Sequence, residues 1–209
     1  VALTRALSSS DGIALDQPYV YRFVAETGGG TGIFIDDQAI GGMANPAAAV
    51  AGDWDGDGDL DLAIADFGAD AVLVLTNDGS GNFSVTSTMV GQVGATAVAA
   101  GDWDGDGSLD LAVANSGANS LAGLRNLGAG AFAAAGTVDG QQGVRALSAG
   151  DWNGDGRDDI GVWRPGTRKF LLDTNGNGTW DTADGGDTLT GRFGLSTDLP
   201  VTGDWNGDG

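Results

Sequence analysis

The sequence predicts an all-β protein, an array of about four four-stranded β-sheet blades. Three observations lead to this fold class. The motif GDWDGDG begins at Gly52 and Gly101, and its variant GDWNGDG begins at Gly150 and Gly203, so the copies are 49, 49 and 53 residues apart. Each repeat contains short stretches, four to eight residues long, in which residue character alternates as it does in strands. The 39 glycines suit the tight turns that join short strands.

One repeat illustrates the predicted blade. The apolar stretch 97–100 leads into an Asp-rich loop, which is followed by LDLAVAN at 109–115, SLAGLRN at 120–126, a Gly turn and AFAAAGTV. Four strands of this kind make one β-propeller-like blade. A single blade cannot bury both of its faces, so blades must stack on their neighbours.

The repeat spacing divides the chain into five segments. In the first, TRALSSSDG stands where the Asp cluster would be, which indicates a degenerate first blade or an N-terminal strand-exchange segment. The last is the start of a further repeat. The segments are 1–46, then blades with one Asp loop each at 47–95, 96–144 and 145–200 (the last with an insertion), then 201–209.

Composition restricts the function classes. With 29 acidic and 9 basic residues the net charge is −20, which disfavours nucleic acids and anionic membranes and favours cations. The chain has no cysteine and no histidine, so disulfides, thiolate sites and Cys- or His-based catalysis are excluded, and only oxygen-ligand metals remain. No apolar run reaches the roughly 18 residues of a membrane span. A start at Val1 is expected of a processed product or a fragment.

Three Asp-rich loops, numbered 1 to 3 in chain order, are the candidate metal sites. Each has the spacing D-x-D/N-x-D-G-x-x-D, in which alternate positions turn their oxygens toward one centre and the Gly at position six permits a sharp bend. Position seven varies, as expected if it offers only its backbone carbonyl. The candidate ligands are Asp53, Asp55, Asp57, Asp59 and Asp61 in loop 1; Asp102, Asp104, Asp106, Ser108 and Asp110 in loop 2; and Asp151, Asn153, Asp155, Arg157 and Asp159 in loop 3.

Hard oxygen ligands in a flexible loop select Ca²⁺ over Mg²⁺, so about three calcium sites are predicted. The alternative is that these are simple polar turns, but four like charges within nine residues are costly without a cation. A truncated fourth loop and a related segment, which alternatively forms an Asn-Gly hairpin turn, are further candidates. Their residues are Asp204, Asn206 and Asp208, and Asp173, Asn175, Asn177 and Asp181; Asn82 and Asn177 also lie in glycosylation sequons.

A tryptophan stands at position two of every copy. The four are Trp54, Trp103, Trp152 and Trp205. Because each falls at the same structural position, we expect them to act as wedges between adjacent blades. The alternative is a row of rings on which carbohydrate stacks.

These motifs resemble the FG-GAP or VCBS repeats of integrin-α-like β-propellers, especially those of bacterial secreted proteins. The resemblance rests on GDWDGDG-x-x-D-L-A followed by an apolar residue, and it extends from about Gly28 onward. It implies Ca²⁺ in loops 1 to 3 and an extracellular or cell-surface location. The family usually closes a ring of about seven blades. Here the array is expected to be incomplete, to be completed by a neighbouring chain, or to close as four blades through residues 201–209.

Two functions are compatible with this pattern. The first is a secreted, calcium-stabilised structural or adhesive repeat protein that self-associates into filaments through open edges, with residues 13–26 as a candidate exchange strand. The alternative is a glycan- or protein-binding module accessory to an enzyme or adhesin. Catalysis by this chain is not expected, because nearly all its carboxylates are assigned to metal loops or turns.

Overall fold

A computed structural model describes residues 40–167 and 169–173 and the backbone of residues 188–189. All of them belong to one compact unit, Ile40–Gly209. They form strands and no helix. The strands are β1 (Pro46–Gly52), β2 (Asp61–Asp66), β3 (Ala71–Asn77), β4 (Phe83–Val90), β5 (Ala95–Gly101), β6 (Asp110–Asn115), β7 (Ser120–Asn126), β8 (Phe132–Asp139), β9 (Ala146–Gly150), β10 (Asp159–Arg164), β11 (Lys169–Asp173) and β12 (Thr188–Leu189).

The strands make three antiparallel four-stranded sheets. Sheet 1 is β1–β4, sheet 2 is β5–β8 and sheet 3 is β9–β12, and in each the spatial order follows the chain. The first strands β1, β5 and β9 pack against one another from sheet to sheet. This is the arrangement of propeller-like blades, and the prediction of an all-β fold of four-stranded sheets is confirmed for the described residues. Residues 1–39 of the predicted first segment (1–46), with the candidate exchange strand at 13–26, and the further repeat at 201–209 lie outside the described residues, and ring closure stays a prediction.

The repeats share their irregularities as well as their strands. The pairing of β1 with β2 shifts register between Pro46 and Ala48, and the pairing of β5 with β6 shifts between Ala95 and Ala97. Similar shifts occur at Val74/Leu75 in sheet 1 and at Gly123/Leu124 in sheet 2. Because bulges re-aim a strand and increase its twist, these shared positions give the two sheets the same shape.

The cores lie between the sheets. Val72 and Val74 of sheet 1 pack with Leu111 and Val113 of sheet 2 in one apolar cluster, and Leu121 of sheet 2 packs with residues of sheet 3 in another. Sheet 2 is therefore covered on both faces. This explains why β6 reads DLAVAN and is buried at every position, whereas burial would alternate along a strand covered on one face only.

None of the described residues forms a helix that could cross a membrane.

Candidate metal centres

The three Asp loops occupy equivalent places in the sheets. Each joins the first strand of its sheet to the second: loop 1 joins β1 to β2, loop 2 joins β5 to β6, and loop 3 joins β9 to β10. Since these first strands are neighbours, the loops lie on the same edge of the array. The sequence repeat thus places three acidic loops side by side.

The carboxylate at position one shapes each loop. In loop 1, Asp53 Oδ1 accepts a hydrogen bond from the Gly56 N–H at 2.7 Å and Oδ2 accepts one from Gly58 at 3.0 Å. Gly56 and Gly58 have φ of +82° and +93°, a conformation that a side chain disfavours. Loops 2 and 3 repeat both bonds, from Gly105 (2.8 Å) and Gly107 (2.9 Å) to Asp102 and from Gly154 (2.7 Å) and Gly156 (2.9 Å) to Asp151.

Loop 1 brings three carboxylates together. Oxygens of Asp53, Asp55 and Asp61 all lie within 4.8 Å of one another. Asp61 is buried, and its two oxygens accept the N–H groups of Trp54 and Asn77, each at 2.8 Å. The position-nine Asp therefore ties the loop to the end of β3. The cluster is a group that could hold a metal ion.

The remaining acids of loop 1 have different surroundings. Asp57, a predicted ligand, lies outside this group, and its Oδ1 accepts the Asp59 N–H at 2.9 Å. The pKa of Asp55 is raised above its ordinary value, by desolvation first and then by the charges of Asp57, Asp61 and Asp53. The carboxylates of loop 1 thus repel one another, and this repulsion disfavours the charged form of Asp55.

Loop 2 has the same frame but a different cluster. Its grouped carboxylates are Asp102, Asp104 and Asp106, without the position-nine Asp110. Asp110 is buried, and its Oδ1 accepts the Asn126 N–H at 2.8 Å. The pKa of Asp110 is raised by desolvation first and then by the charges of Asp104, Asp106 and Asp102.

Arg125 of β7 reaches into loop 2. Its Nε lies 2.9 Å from Asp104 Oδ2 and its Nη2 lies 3.4 Å from Asp106 Oδ2. The pKa of Asp106 is held below its ordinary value, chiefly by the backbone N–H of Ser108 and also by Arg125. Loop 2 therefore contains a cation supplied by the chain itself.

In loop 3 an amide holds the carboxylates. Asn153 Nδ2 donates to Asp155 Oδ2 at 3.0 Å and to Asp159 Oδ1 at 3.4 Å, while Asp159 Oδ2 accepts the Trp152 N–H at 2.9 Å. Desolvation, then Asp155 and Asp151, raise the pKa of Asp159. Loop 3, which is described throughout, brings no three carboxylates as close together as loops 1 and 2 do.

Position seven contributes its backbone to the loop frame. The N–H groups of Asp59, Ser108 and Arg157 donate to the carboxylate at position five of their own loops, at 2.9, 2.8 and 2.9 Å. Their carbonyl oxygens as metal ligands stay a prediction. The residues at positions five and seven were all candidate metal ligands by sequence. In the structure, the carboxylate at position five accepts a backbone hydrogen bond that shapes the turn.

The other candidate residues are only partly described. Asp173 is buried at the end of β11 and lines a cavity between sheets 2 and 3. Asn82 lies in the exposed β3–β4 turn, where its Nδ2 donates to Asp78 Oδ2 at 2.8 Å. Outside the described residues lie Asn175, Asn177, Asp181, Trp205, Asp204, Asn206 and Asp208.

The tryptophans at position two do not share one environment. Trp54 is 1% exposed and packs between sheets 1 and 2, as the wedge interpretation predicts. Trp152 packs edge-on against Phe170 of its own sheet, with ring centroids 6.2 Å apart. Trp103 lines the cavity between sheets 2 and 3. One sequence position thus gives a wedge, an intrasheet contact and a cavity wall.

The cavity between sheets 2 and 3 has a volume of about 470 Å³. Its walls combine the Trp103 ring and apolar residues of β7 and β8 with Asp104, Asp110, Arg125 and Asp159. Trp103 Nε1 is buried and has no hydrogen-bond partner among the described residues. The cavity therefore offers an aromatic residue and acidic acceptors, while the Trp103 N–H is itself buried.

Two residues near the loops were missed by sequence reasoning. Arg125 lies on β7 at the position that Thr76 occupies in sheet 1. The sequence signal for it was a basic residue directly before the Asn that ends the strand. Asp158 precedes the position-nine Asp of loop 3, where loops 1 and 2 have leucine. Its Oδ2 accepts the Asp102 N–H at 2.8 Å and its N–H donates to the Asp102 carbonyl at 3.1 Å, so it joins loop 3 to loop 2.

The fold and its loops define a β-sheet repeat protein whose repeats carry acidic loops at one edge. A family model for the FG-GAP-like repeat matches residues 53–113 and 102–162, which together span more than half of the chain. The chain belongs to the FG-GAP-like repeat family, as the sequence resemblance predicts. A comparison with curated proteins finds no match.

Proposed function

We propose that the chain is an extracellular, calcium-stabilised adhesive or structural repeat module. The observation that carries the proposal is the common frame of the three loops, in which a position-one carboxylate accepts two glycine N–H groups. In loops 1 and 2 this frame gathers three carboxylates. Membership of the FG-GAP-like repeat family supports an extracellular place and a role in adhesion. The module has no catalytic activity of its own.

The donor set of loop 1 fits a calcium ion. Asp53, Asp55 and Asp61 offer clustered carboxylate oxygens, and the position-seven residue Asp59 would add a backbone carbonyl. Calcium accepts six to eight oxygen ligands in flexible geometry, which suits a short acidic loop. A bound dication supplies the positive charge that this cluster otherwise lacks. We therefore expect it to stabilise the β1–β2 connection.

Charge repulsion in the loops gives calcium its effect on folding. The raised pKa values of Asp55, Asp110 and Asp159 have neighbouring carboxylates among their causes in all three loops. A ligand that binds the folded chain but not the unfolded chain adds stability that grows with its concentration. Calcium should thus raise the stability of all three blades.

Self-association is the second part of the proposal. The outer strand β4 pairs only with β3 among the described residues, so its other edge is open there. Val85 and Val90 are exposed on this strand, Val90 at 77%. An open, partly apolar edge strand is a template for pairing with another chain. Head-to-tail contacts of this kind produce filaments when they do not close.

Calorimetry with Ca²⁺, joined to urea unfolding in Ca²⁺ and in EGTA, tests the calcium proposal. We expect about three sites and a higher unfolding midpoint in calcium. The double substitution Asp53→Asn/Asp55→Asn should remove one site. Asp139→Asn, which removes one charge from the exposed end of β8, is the control and should leave the stoichiometry unchanged. No heat of binding in the unmodified chain would refute the proposal.

Sedimentation tests self-association separately. We expect particles larger than the 20.8 kDa monomer in millimolar Ca²⁺ and their dissociation in EGTA. Val90→Lys places a charge on the open β4 edge and should weaken assembly without changing calcium stoichiometry. A monomer under both conditions would remove the filament part and leave the calcium part standing.

A second candidate function is ligand binding at the cavity between sheets 2 and 3. The Trp103 side chain beside acidic acceptors suits a hydroxyl-rich ligand such as a glycan. Screening the chain and Trp103→Ala against a panel of oligosaccharides tests this function. Binding by the unmodified monomer that the substitution abolishes would favour it over a purely structural role.

A further inference from the structure

We infer that Arg125 is a built-in counter-cation that lowers the calcium affinity of loop 2 below that of loop 1. This inference rests on the proposed calcium function and assigns a new role to a residue outside the Asp motif. It divides the loops into sites of different affinity. The chain would then respond to calcium in steps as the concentration rises.

The geometry places the guanidinium group on the loop 2 cluster. Arg125 Nε lies 2.9 Å from Asp104 Oδ2, and Nη2 lies 3.4 Å from Asp106 Oδ2. Asp104 and Asp106 are two of the three carboxylates that gather in this loop. A cation bound among them must displace the guanidinium group or accept its repulsion.

Loop 1 offers an internal comparison, because its equivalent residue carries no charge. Arg125 pairs with Ala133 across β7 and β8, and Thr76 pairs with Ser84 across β3 and β4, one residue before the strand-end Asn in both sheets. The Thr76 side chain cannot neutralise a carboxylate. Among the described residues, the Asp53, Asp55 and Asp61 cluster therefore has no guanidinium partner that an ion would have to displace.

Two further features distinguish loop 2. The position-nine Asp110 does not join its cluster, whereas Asp61 joins that of loop 1. In addition, the Arg157 side chain of loop 3 lies beside loop 2, since a Cβ built on Gly105 would come within 3.3 Å of Arg157 Nε. Loop 2 thus gathers three carboxylates, as loop 1 does, but without the position-nine Asp, and it has a second guanidinium group nearby.

The ion pair between Arg125 and Asp104 is exposed to solvent and can open. The Arg125 side chain is 52% exposed, and exposed ion pairs are individually weak. Calcium can therefore displace the guanidinium group, which turns to solvent on its flexible stem. We expect the effect to be a moderate loss of affinity, about fivefold, rather than loss of the site.

The test uses full-length chains in which a single loop is left intact. Asp53→Asn/Asp55→Asn with Asp151→Asn/Asp155→Asn leaves loop 2 as the one intact loop of loops 1 to 3, and calorimetry with Ca²⁺ then measures binding in this background. In this background Arg125→Thr, which copies sheet 1, should raise the affinity about fivefold. Arg125→Lys keeps the charge and should stay near the parent value. Arg145→Thr removes an exposed charge elsewhere and is the control for net charge.

The reciprocal substitution in loop 1 keeps the inference testable if Arg125→Thr impairs folding. Thr76→Arg, in a chain with only loop 1 intact, should lower calcium affinity by a similar factor. If the Arg125→Thr substitution leaves the calcium affinity of loop 2 unchanged, and Thr76→Arg changes nothing in loop 1, the inference is wrong while the calcium function stands. If no background binds calcium, the proposed function fails and the inference fails with it.

Discussion

The indole of Trp54 lies edge-on against the ring of Phe132, with ring centroids 5.8 Å apart and ring planes at 71°. Trp54 belongs to loop 1 of sheet 1, and Phe132 begins β8 of sheet 2. The Trp54 carbonyl also accepts the Gly130 N–H at 3.0 Å. The loop proposed to hold an ion is therefore also a point at which neighbouring blades meet, so its shape affects their packing.

Trp54→Ala should strongly destabilise the chain. The side chain is fully buried in the cluster between sheets 1 and 2, and truncating a buried aromatic costs about 3–5 kcal/mol. Urea unfolding in EGTA measures the loss without a contribution from calcium. Trp152→Ala is the matched control, because Trp152 is only half-buried and should cost less. Equal losses for the two substitutions would contradict the wedge role of Trp54.

Gly52→Ala should disturb the same contact from the other side. A Cβ at this position would lie 2.5 Å from Trp54 Cη2, so the indole ring would have to move. Gly101 likewise leaves room for Trp103, since a Cβ there would lie 2.8 Å from the indole, so the Gly before Asp-Trp serves this purpose in loops 1 and 2. Overpacking of this kind costs about 1–3 kcal/mol. Gly136→Ala on β8, where a Cβ meets no atom within 4 Å, is the control and should be nearly neutral.

Asp61→Ala should lower stability with and without calcium. It leaves the buried N–H of Trp54 and the partly buried N–H of Asn77 without their acceptor, and the buried donor alone costs about 1–3 kcal/mol. The Asp55 carboxylate instead accepts the N–H of Asp57 within the exposed loop, so Asp55→Asn should remove chiefly the calcium-dependent part of stability. Unfolding in Ca²⁺ and in EGTA separates the two effects. A purely calcium-dependent loss for Asp61→Ala would show that it acts only as a ligand.

The repeat period predicted most of the fold because it fixes both strand length and loop position. The four-strand pattern of residues 96–144 needs only apolar alternation and turn glycines, and both are local features of the sequence. The position-one carboxylate and position-six Gly of each loop were predictable for the same reason. Their hydrogen bonds span at most five residues, so the spacing alone implies them.

The parts that were missed depend on contacts between distant residues. Arg125 reaches Asp106 across 19 residues, and Asp158 bonds to Asp102 across 56. The different surroundings of Trp54, Trp103 and Trp152 also depend on which sheet lies beside each one. A repeated motif predicts equal sites, whereas neighbours outside the motif make the sites unequal.

Asp66 provides a test of pH dependence away from the Asp loops. Its carboxylate accepts four backbone N–H groups, from Ala44 (2.7 Å), Asn45 (2.8 Å), Gly68 (3.0 Å) and Ala69 (3.2 Å). Burial alone would raise its pKa, but these donors outweigh burial and hold the pKa below its ordinary value. The carboxylate thereby fastens residues 44–45 to the β2–β3 turn.

The direction of the shift sets the sign of the pH effect. A carboxyl group with a lowered pKa in the folded state adds stability that is fully present above the ordinary Asp pKa of about 3.9, and that is lost as the pH falls through the folded value. Asp66→Asn should therefore be less stable than the parent chain at pH 7. The gap should narrow as the pH falls below about 4. Urea unfolding of both chains in EGTA across this range measures the gap, with Asp139→Asn as the control. A gap that stays constant down to acidic pH would show that Asp66 acts through its shape and not through its charge.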